Sequence, residues 1–295
     1  MIILMSDTSC DLPSSIVDEY NIQLIPYYVS FNKNDYFKEL FEISIDEFYT
    51  KLRSEKIFPK TSLPSINDYY TKFEPNIKNG DSIICVCLSS HFSGSYSAAK
   101  NARELILETY PDAQIEIIDS LNATGGQGLL VTEIGRMIKA GLEFKKIIKI
   151  AYKIRPTARI FFYVDTLDYL ENGGRIGKAA ALLGTMLNVK PIIYLENGLL
   201  FPISKTRGTK KAVAKVISVL QDFTKDDPQS YAYVIGDAHN REASIQMAQA
   251  YNEVMPVPFN KHFFTIGVTI GVNTGPDTCG VAVIKKYENF IRNDN

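Results

Sequence analysis

Short apolar runs alternate with amphipathic stretches along this chain, and that alternation constrains the fold more than any other feature. A brief apolar run suits a buried strand, and apolar positions at helical spacing suit a helix that covers it. Residues 2–5, 82–88, 114–119, 160–164, 231–236 and 262–268 read as strands, and residues 22–30 as an extended stretch. Asp11-Leu12-Pro13 opens a helix, with Asp11 as N-cap and Pro13 in the first turn. Further helices are expected over 95–109, 128–139, 143–154, 210–223 and 241–251, the 95–109 helix turning Ala98, Ala99, Ala102, Leu105 and Ile106 inward. Ser44-Ile45-Asp46-Glu47 forms a capping box ahead of Phe48 and Leu52, and Ser65-Ile66-Asn67-Asp68 a weaker cap. Residues 166–170 and 177–187 read as helical, with Gly173-Gly174 between them.

Strands that alternate with helices in this way form an α/β fold with parallel strands and crossover helices. One segment breaks the pattern. Asn197-Gly198 sits between two apolar runs in 191–205, which is the strongest short hairpin signal. The expectation is therefore two α/β domains: residues 1–160 with a mainly parallel sheet, and residues 161–295 with a mixed sheet.

Composition narrows the function classes. Thirty-two Lys and Arg against 33 Asp and Glu leave no cationic surplus, so nucleic acid is not an expected partner. Met1 to Asp7 has no basic lead and reaches an acid too early for a signal peptide. No apolar run approaches the roughly 20 residues that span a bilayer, and a cytoplasmic location is expected. Cys85 and Cys87 lie in an apolar strand, while Cys10 and Cys279 stand apart. Their spacing is neither zinc-binding nor redox, and core thiols are the reading.

Hydroxyl-rich segments follow several of the expected strands: Ser6-Asp7-Thr8-Ser9, Ser89 to Ser95, Asp119-Ser120-Leu121-Asn122 and Asn273-Thr274-Gly275-Pro276. Lys60-Thr61-Ser62-Leu63-Pro64-Ser65 precedes a helix. Ligands of open α/β sheets sit beyond the carboxyl ends of strands, and neutral hydroxyl donors there suit an anion. Any one segment alone reads more readily as a cap or turn, and it is their recurrence after strands that points to a site. Gly125-Gly126-Gln127-Gly128 lacks dinucleotide spacing, and no Walker loop, nucleophile elbow or His-Glu-x-x-His motif is present. His91, His239 and His262 are scattered, so no metal and no cofactor is expected. Asp7, Asp119, Asp165 and Asp168 lie near strand ends, where paired carboxylates or structural caps are both open readings. Arg175 and Arg207 are open to two readings, solvated surface charges or guanidinium forks for a phosphate or a partner's carboxylate.

Taken in order, these segments resemble the DegV family. Ser6-Asp7-Thr8-Ser9-Cys10-Asp11-Leu12-Pro13 is similar to its N-terminal signature, and Thr61 to Ser65 to its Thr-Ser-x-Pro-Ser loop. Leu88 to Ala99 resembles its Ser-Gly-Thr-Tyr segment. The most specific match is Tyr169-Leu170-Glu171-Asn172-Gly173-Gly174-Arg175-Ile176, followed by Leu187-Asn188-Val189-Lys190-Pro191. The resemblance implies two α/β domains with a long-chain fatty acid buried between them. It implies that Thr61 and Ser93 hold the carboxylate, with Ser62 and Gly94 contributing backbone. Some members are non-catalytic fatty-acid-binding subunits of bacterial fatty acid kinase. They present the acid to a separate ATP-binding kinase subunit that forms acyl phosphate for phospholipid metabolism, and transient membrane contact is part of that expectation. Arg175 and Arg207 match arginines that contact the partner or the phosphorylated head, and Asn273 and Thr274 match head-group positions.

One departure weighs against phosphoryl transfer. The family commonly has His-x-Gly-Pro-Gly where this chain has Asn273-Thr274-Gly275-Pro276-Asp277. Asn can hydrogen-bond a head group but cannot exchange a proton near neutral pH, and Asp277 adds negative charge where Gly is usual. Two alternatives stand beside the lipid-binding reading: an enzyme acting on an acyl or phosphorylated small molecule through Asp7, Asp119 or Asp165, and a regulatory protein with a structural lipid.

Overall fold

The computed structural model describes residues 1–32, 34–55, 57–184, 189–259 and 263–291. The strands are Ile2–Asp7 (β1), Gln23–Ile25 (β2), Tyr28–Ser30 (β3), Phe37–Lys38 (β4), Lys60–Ser62 (β5), Ser82–Cys87 (β6), Ile115–Asp119 (β7), Arg159–Tyr163 (β8), Val189–Glu196 (β9), Leu199–Arg207 (β10), Tyr231–Asp237 (β11), Phe264–Thr265 (β12) and Cys279–Lys285 (β13). The helices are Ser14–Glu19 (α1), Ile45–Glu55 (α2), Ile66–Lys78 (α3), Ser95–Thr109 (α4), Thr124–Lys139 (α5), Phe144–Ile154 (α6), Asp168–Gly173 (α7), Thr209–Thr224 (α8), Arg241–Val254 (α9), Val268–Thr274 (α10) and Glu288–Ile291 (α11).

A parallel sheet runs in the order β2-β1-β6-β7. A six-stranded sheet runs β10-β9-β8-β13-β11-β12, antiparallel apart from the β11–β12 pair. This is the α/β class expected from the sequence, with a parallel first sheet and a mixed second one. A third, antiparallel sheet of β4-β3-β5 was not expected.

Side-chain alternation along the strands builds the layers. On β6, Ile83, Cys85 and Cys87 face α3 and α4, while Ile84 and Val86 face α5 and α6. On β8, Phe161 and Tyr163 face α8 and α9, while Ile160 and Phe162 turn toward α5. Helix α5 therefore lies between the two larger sheets, buried along nearly its whole length. Its glycine-rich start is a packing device: a Cβ at Gly128 would lie 2.6 Å from the Cys10 carbonyl oxygen, and one at Gly125 2.6 Å from the Phe264 ring.

Several sequence expectations are corrected. Asp11 does not cap α1; it stands in the left-handed region at φ 50°, and Pro13 occupies the N-cap position. The cap at Ser65 is a complete capping box, with Ser65 and Asp68 each accepting from the other's backbone N–H. Leu105 points outward, 44% exposed, although its α4 neighbours are buried. Residues 177–182 form a 3-10 helix rather than the start of an 11-residue α-helix. The remainder of that expected helix includes Thr185 to Leu187, which with Asn188 of the family-like motif lies outside the described residues. The strand expected over 262–268 is confined to Phe264 and Thr265, and Val268 already belongs to α10. The central strand β13 went unread because Gly280 and Ala282 dilute its apolar run. Gly280 is required there, since a Cβ would lie 2.5 Å from Phe162 Cβ.

The hairpin is present, with Asn197 at φ 47° and Gly198 at φ 77° in the primed-turn conformation. Its tip docks on the hydroxyl loop of the first half, where a Cβ on Gly198 would collide with Ser89 Oγ and the His91 ring. Gly141 is also left-handed, at φ 76°, but its missing Cβ faces open space. In urea denaturation Gly141→Ala should cost about 1 kcal/mol of conformational strain. Gly198→Ala should cost about 2 kcal/mol or more, because contact is added to strain. Equal costs would mean that the hairpin tip does not bear on the loop.

Candidate functional site

The carboxyl ends of β1 and β6 meet around a buried carboxylate, Asp7. It accepts hydrogen bonds from Ser9 Oγ at 2.6 Å, Gln127 Nε2 at 2.8 Å, Leu88 N at 2.9 Å and Ser95 Oγ at 2.8 Å. Burial raises its pKa, and the donors pull it back. These contacts anchor the first residue of α4 and the chain entering it. The loop before α4 carries Ser93, whose Oγ accepts from Tyr27 OH at 2.8 Å and from Ser95 N at 3.2 Å.

Beyond this point lies a cavity of about 240 Å³, walled by both halves of the chain. Thr61, Ser62, Ser93 and Gly94 line it together with Tyr27, Arg175, Asn273 and Thr274. The Thr61 strand and the Gly94 turn are neighbours, since a Cβ on Gly94 would touch Leu63 at 3.4 Å. Much of the remaining wall is apolar, including Leu88, Ile160, Phe162, Leu195, Leu200 and Phe264. The Phe264 ring lies over Gly125 and Gly236 and separates this cavity from a second of about 460 Å³.

Arg175 follows Gly174, which ends α7 in the left-handed region at φ 70°. Its Nε donates to the Phe92 carbonyl at 3.1 Å and its Nη1 to the Gly173 carbonyl at 2.5 Å, so it joins the hydroxyl loop to α7. Asn273 Nδ2 donates to the Thr269 carbonyl at 3.2 Å, and its Oδ1 occupies the space that a Cβ on Gly173 would need. Arg207 stands apart: it ends β10 opposite Val189, is exposed, and does not line the cavity. Asp277 does not face the cavity either. It adopts φ 63°, a glycine-like conformation, and accepts from Arg53 Nη2 at 3.1 Å and Asn240 Nδ2 at 2.9 Å.

Helix α10 carries Thr269, Asn273 and Thr274 into the cavity wall, and Glu39 holds its start. Glu39 accepts from Thr269 N at 2.9 Å, Thr269 Oγ1 at 2.6 Å and Thr8 Oγ1 at 2.5 Å. Burial pushes its pKa up, with hydrogen bonds from Thr269 and Thr8 opposing. Asp11 comes to the same place across Gly267, where a Cβ would collide with oxygens of both carboxyls. Burial, then the Glu39 charge, holds the Asp11 carboxyl well above the usual range.

The carboxylates considered for catalysis do not converge. Asp7 is enclosed by its donors, and Asp119 accepts from the Ser90 and Leu121 amides. Asp165 pairs with Lys190, and Asp168 opens α7. His91 packs against the hairpin tip, His239 contacts Arg53 and Asp46, and His262 lies outside the described residues. The four cysteines are buried and free, and burial pushes the Cys10 thiol up to about 12. Among the described residues, no group of three or more His, Cys, Asp and Glu is placed to hold a metal ion, and no helix is long and apolar enough to cross a membrane. Tyr27 and Gln127 were missed by sequence reasoning, because an isolated Tyr or Gln carries no spacing signal.

The sequence model described as "uncharacterised protein, DegV family" matches residues 1–286. The chain belongs to the DegV family. A DegV domain-containing protein of Clostridium perfringens (strain 13) is 33% identical over 281 residues, spanning 95% of this chain and 96% of its own. A stearic-acid-binding protein from Eubacterium ventriosum has the same fold, with TM-score 0.94 and 34% identity over 98% of this chain and 100% of that one. A DegV family protein from Thermus thermophilus, described as fatty-acid-binding, has TM-score 0.86 and 26% identity over 96% of this chain and 99% of that one.

Glu39 yields a pH test. Its ordinary value is 4.5 and its folded value is raised, so the folded chain holds the proton more tightly than the unfolded chain. That stabilisation is fully present below the unfolded value and is lost as pH rises through the folded value. As pH rises above the ordinary 4.5 and through the raised folded value, wild type should therefore lose stability relative to Glu39→Gln, read as urea midpoints at each pH. A constant difference would place an unshifted carboxylate at this junction.

Proposed function

We propose that this DegV protein binds a long-chain fatty acid in the cavity, with its carboxylate on Ser93 and Thr61. Ser62 and Gly94 complete the cradle, and Arg175, Asn273 and Thr274 flank the head group. One observation carries the reading: two hydroxyl motifs, distant in sequence, line one end of a cavity whose other walls are largely apolar. Fatty-acid binding by the Eubacterium and Thermus relatives supports it. On this reading the proposed domains, residues 1–160 and 161–295, each supply part of the wall.

Energetics divide the work. Burying an acyl chain of about 15 methylenes is worth on the order of 12 kcal/mol gross, and association entropy and ligand ordering remove much of it. The carboxylate loses hydration on entry, which hydrogen bonds must offset. The tail therefore sets affinity and the hydroxyls set orientation. On this reading the chain acts by holding the acid.

The exposed arginine supports a role beyond binding. Arg175 lines the cavity and is accessible to solvent, which suits presentation of the head group to a separate kinase subunit for acyl phosphate formation. Asn273 can orient a head group there but cannot shuttle a proton at neutral pH. Asp277, bonded to Arg53 and Asn240, adds no charge to the cavity. Arg207 is better placed for a partner surface than for the ligand.

Ser93→Ala and Thr61→Ala should each weaken palmitate about tenfold or more, the worth of a hydrogen bond to a charged group. Displacement of a fluorescent fatty acid measures the affinity, and thermal melting should move by no more than a few degrees. Unchanged affinity in both variants would remove these residues from the site and put the carboxylate elsewhere.

A further inference from the structure

Around Asp7 the hydroxyls form an ordered relay. Ser95 Oγ donates to Asp7 Oδ2 at 2.8 Å, so its single proton is committed. Tyr69 OH, 2.6 Å from Ser95 Oγ, must then be the donor of that pair. The order is tyrosine to serine to carboxyl, and it is fixed by the donation of Ser95 to Asp7.

A second tyrosine and serine lie beside the first pair, at the cavity. Tyr27 OH is 2.8 Å from Ser93 Oγ, and the Ser95 amide donates to the same oxygen at 3.2 Å. Two incoming donors fill both lone pairs of Ser93 Oγ. Its own proton remains, and both Ser93 and Tyr27 line the cavity. Among the described residues no carboxylate receives that proton.

We propose that Tyr27 is a positioning residue that forces the Ser93 hydroxyl to donate, which makes the cavity selective for an acceptor-only head group such as a carboxylate. The inference rests on the fatty-acid reading given above. Tyr27 is itself held from two sides. Its amide donates to Thr8 Oγ1 at 3.0 Å, and Thr8 is in turn bonded to Glu39. Burial, and next the Asp7 charge, keep the Tyr27 phenol well above its ordinary pKa, so it remains a donor at any physiological pH. A fatty alcohol can accept the Ser93 proton as the acid does, but it brings a proton of its own that needs an acceptor. Against wild type it meets a serine whose lone pairs are already filled. Once Tyr27 OH is removed, Ser93 can accept from it.

The test compares palmitate with 1-hexadecanol on wild type and Tyr27→Phe, by displacement of the same fluorescent probe. Tyr27→Phe should weaken palmitate about tenfold while hexadecanol stays within about twofold or tightens, so that the acid-to-alcohol preference collapses. Because both ligands are read on one sample, a loss of folded protein cancels from the ratio. In a Ser93→Ala background Tyr27→Phe should have no further effect on that ratio, since the tyrosine acts through the serine. An equal loss for acid and alcohol would show a merely structural tyrosine and overturn the inference. So would an unchanged ratio, or a full effect of Tyr27→Phe without Ser93. If wild type binds palmitate but Tyr27→Phe fails in one of these ways, the fatty-acid reading survives alone. Should wild type bind neither ligand, that reading falls and takes this inference with it.

Discussion

Burying one carboxylate at the carboxyl ends of the paired strands β1 and β6 organises much of this molecule. A charge removed from water costs several kcal/mol unless donors surround it. Asp7 is fully buried, and its donors come from four places: the 3-10 turn after β1, the chain after β6, the start of α4 and the interior of α5. None of these can shift without leaving a charge or a polar group unpaired. The site inherits that rigidity, because Ser93 lies two residues before Ser95. In an α/β fold the same strand ends are where ligands bind.

Helix α5 extends the constraint across the molecule. Gln127 ties it to Asp7, and its apolar flanks pack on both larger sheets. Glycines at its start let Cys10 and Phe264 approach closely, which places the Phe264 ring as a wall of the cavity. One residue beyond Asp7, the Thr8 hydroxyl meets Glu39, which also receives the start of α10. The cavity is thus held at one end by two buried carboxyls of the protein, neither of which lines it. That leaves hydroxyls, amides and an arginine for an incoming anion.

Local signals in the chain read well where one periodicity dominates. Residues 95–109 were expected as a helix and form one, and Asn197-Gly198 marks a hairpin whose turn angles only such residues adopt readily. The hydroxyl motifs around Thr61 and Ser93 were visible as recurrent donors, and they line one cavity. Other features left little trace. Strands of two or three residues, such as β3 and β5, are too short for alternation to register. Phe264-Thr265-Ile266 looks like a longer strand, but α10 begins soon after because Glu39, far away in sequence, takes its first amides and hydroxyl. Tyr27 was invisible as a functional residue, since its role depends on a partner 66 positions away. Cavity-lining residues could not be told from core, because packing and lipid solvation call for the same side chains.

The proposed ligand has one orientation, its acyl chain against the apolar wall and its carboxylate on the hydroxyls of Ser93 and Thr61. A crystal structure of the protein carrying palmitate tests this most directly. Carboxylate oxygens should lie within hydrogen-bonding distance of Ser93 Oγ and Thr61 Oγ1, with the tail running past Ile160 and Phe162. A carboxylate at the Phe264 end, or an acid bound outside the cavity, would contradict it.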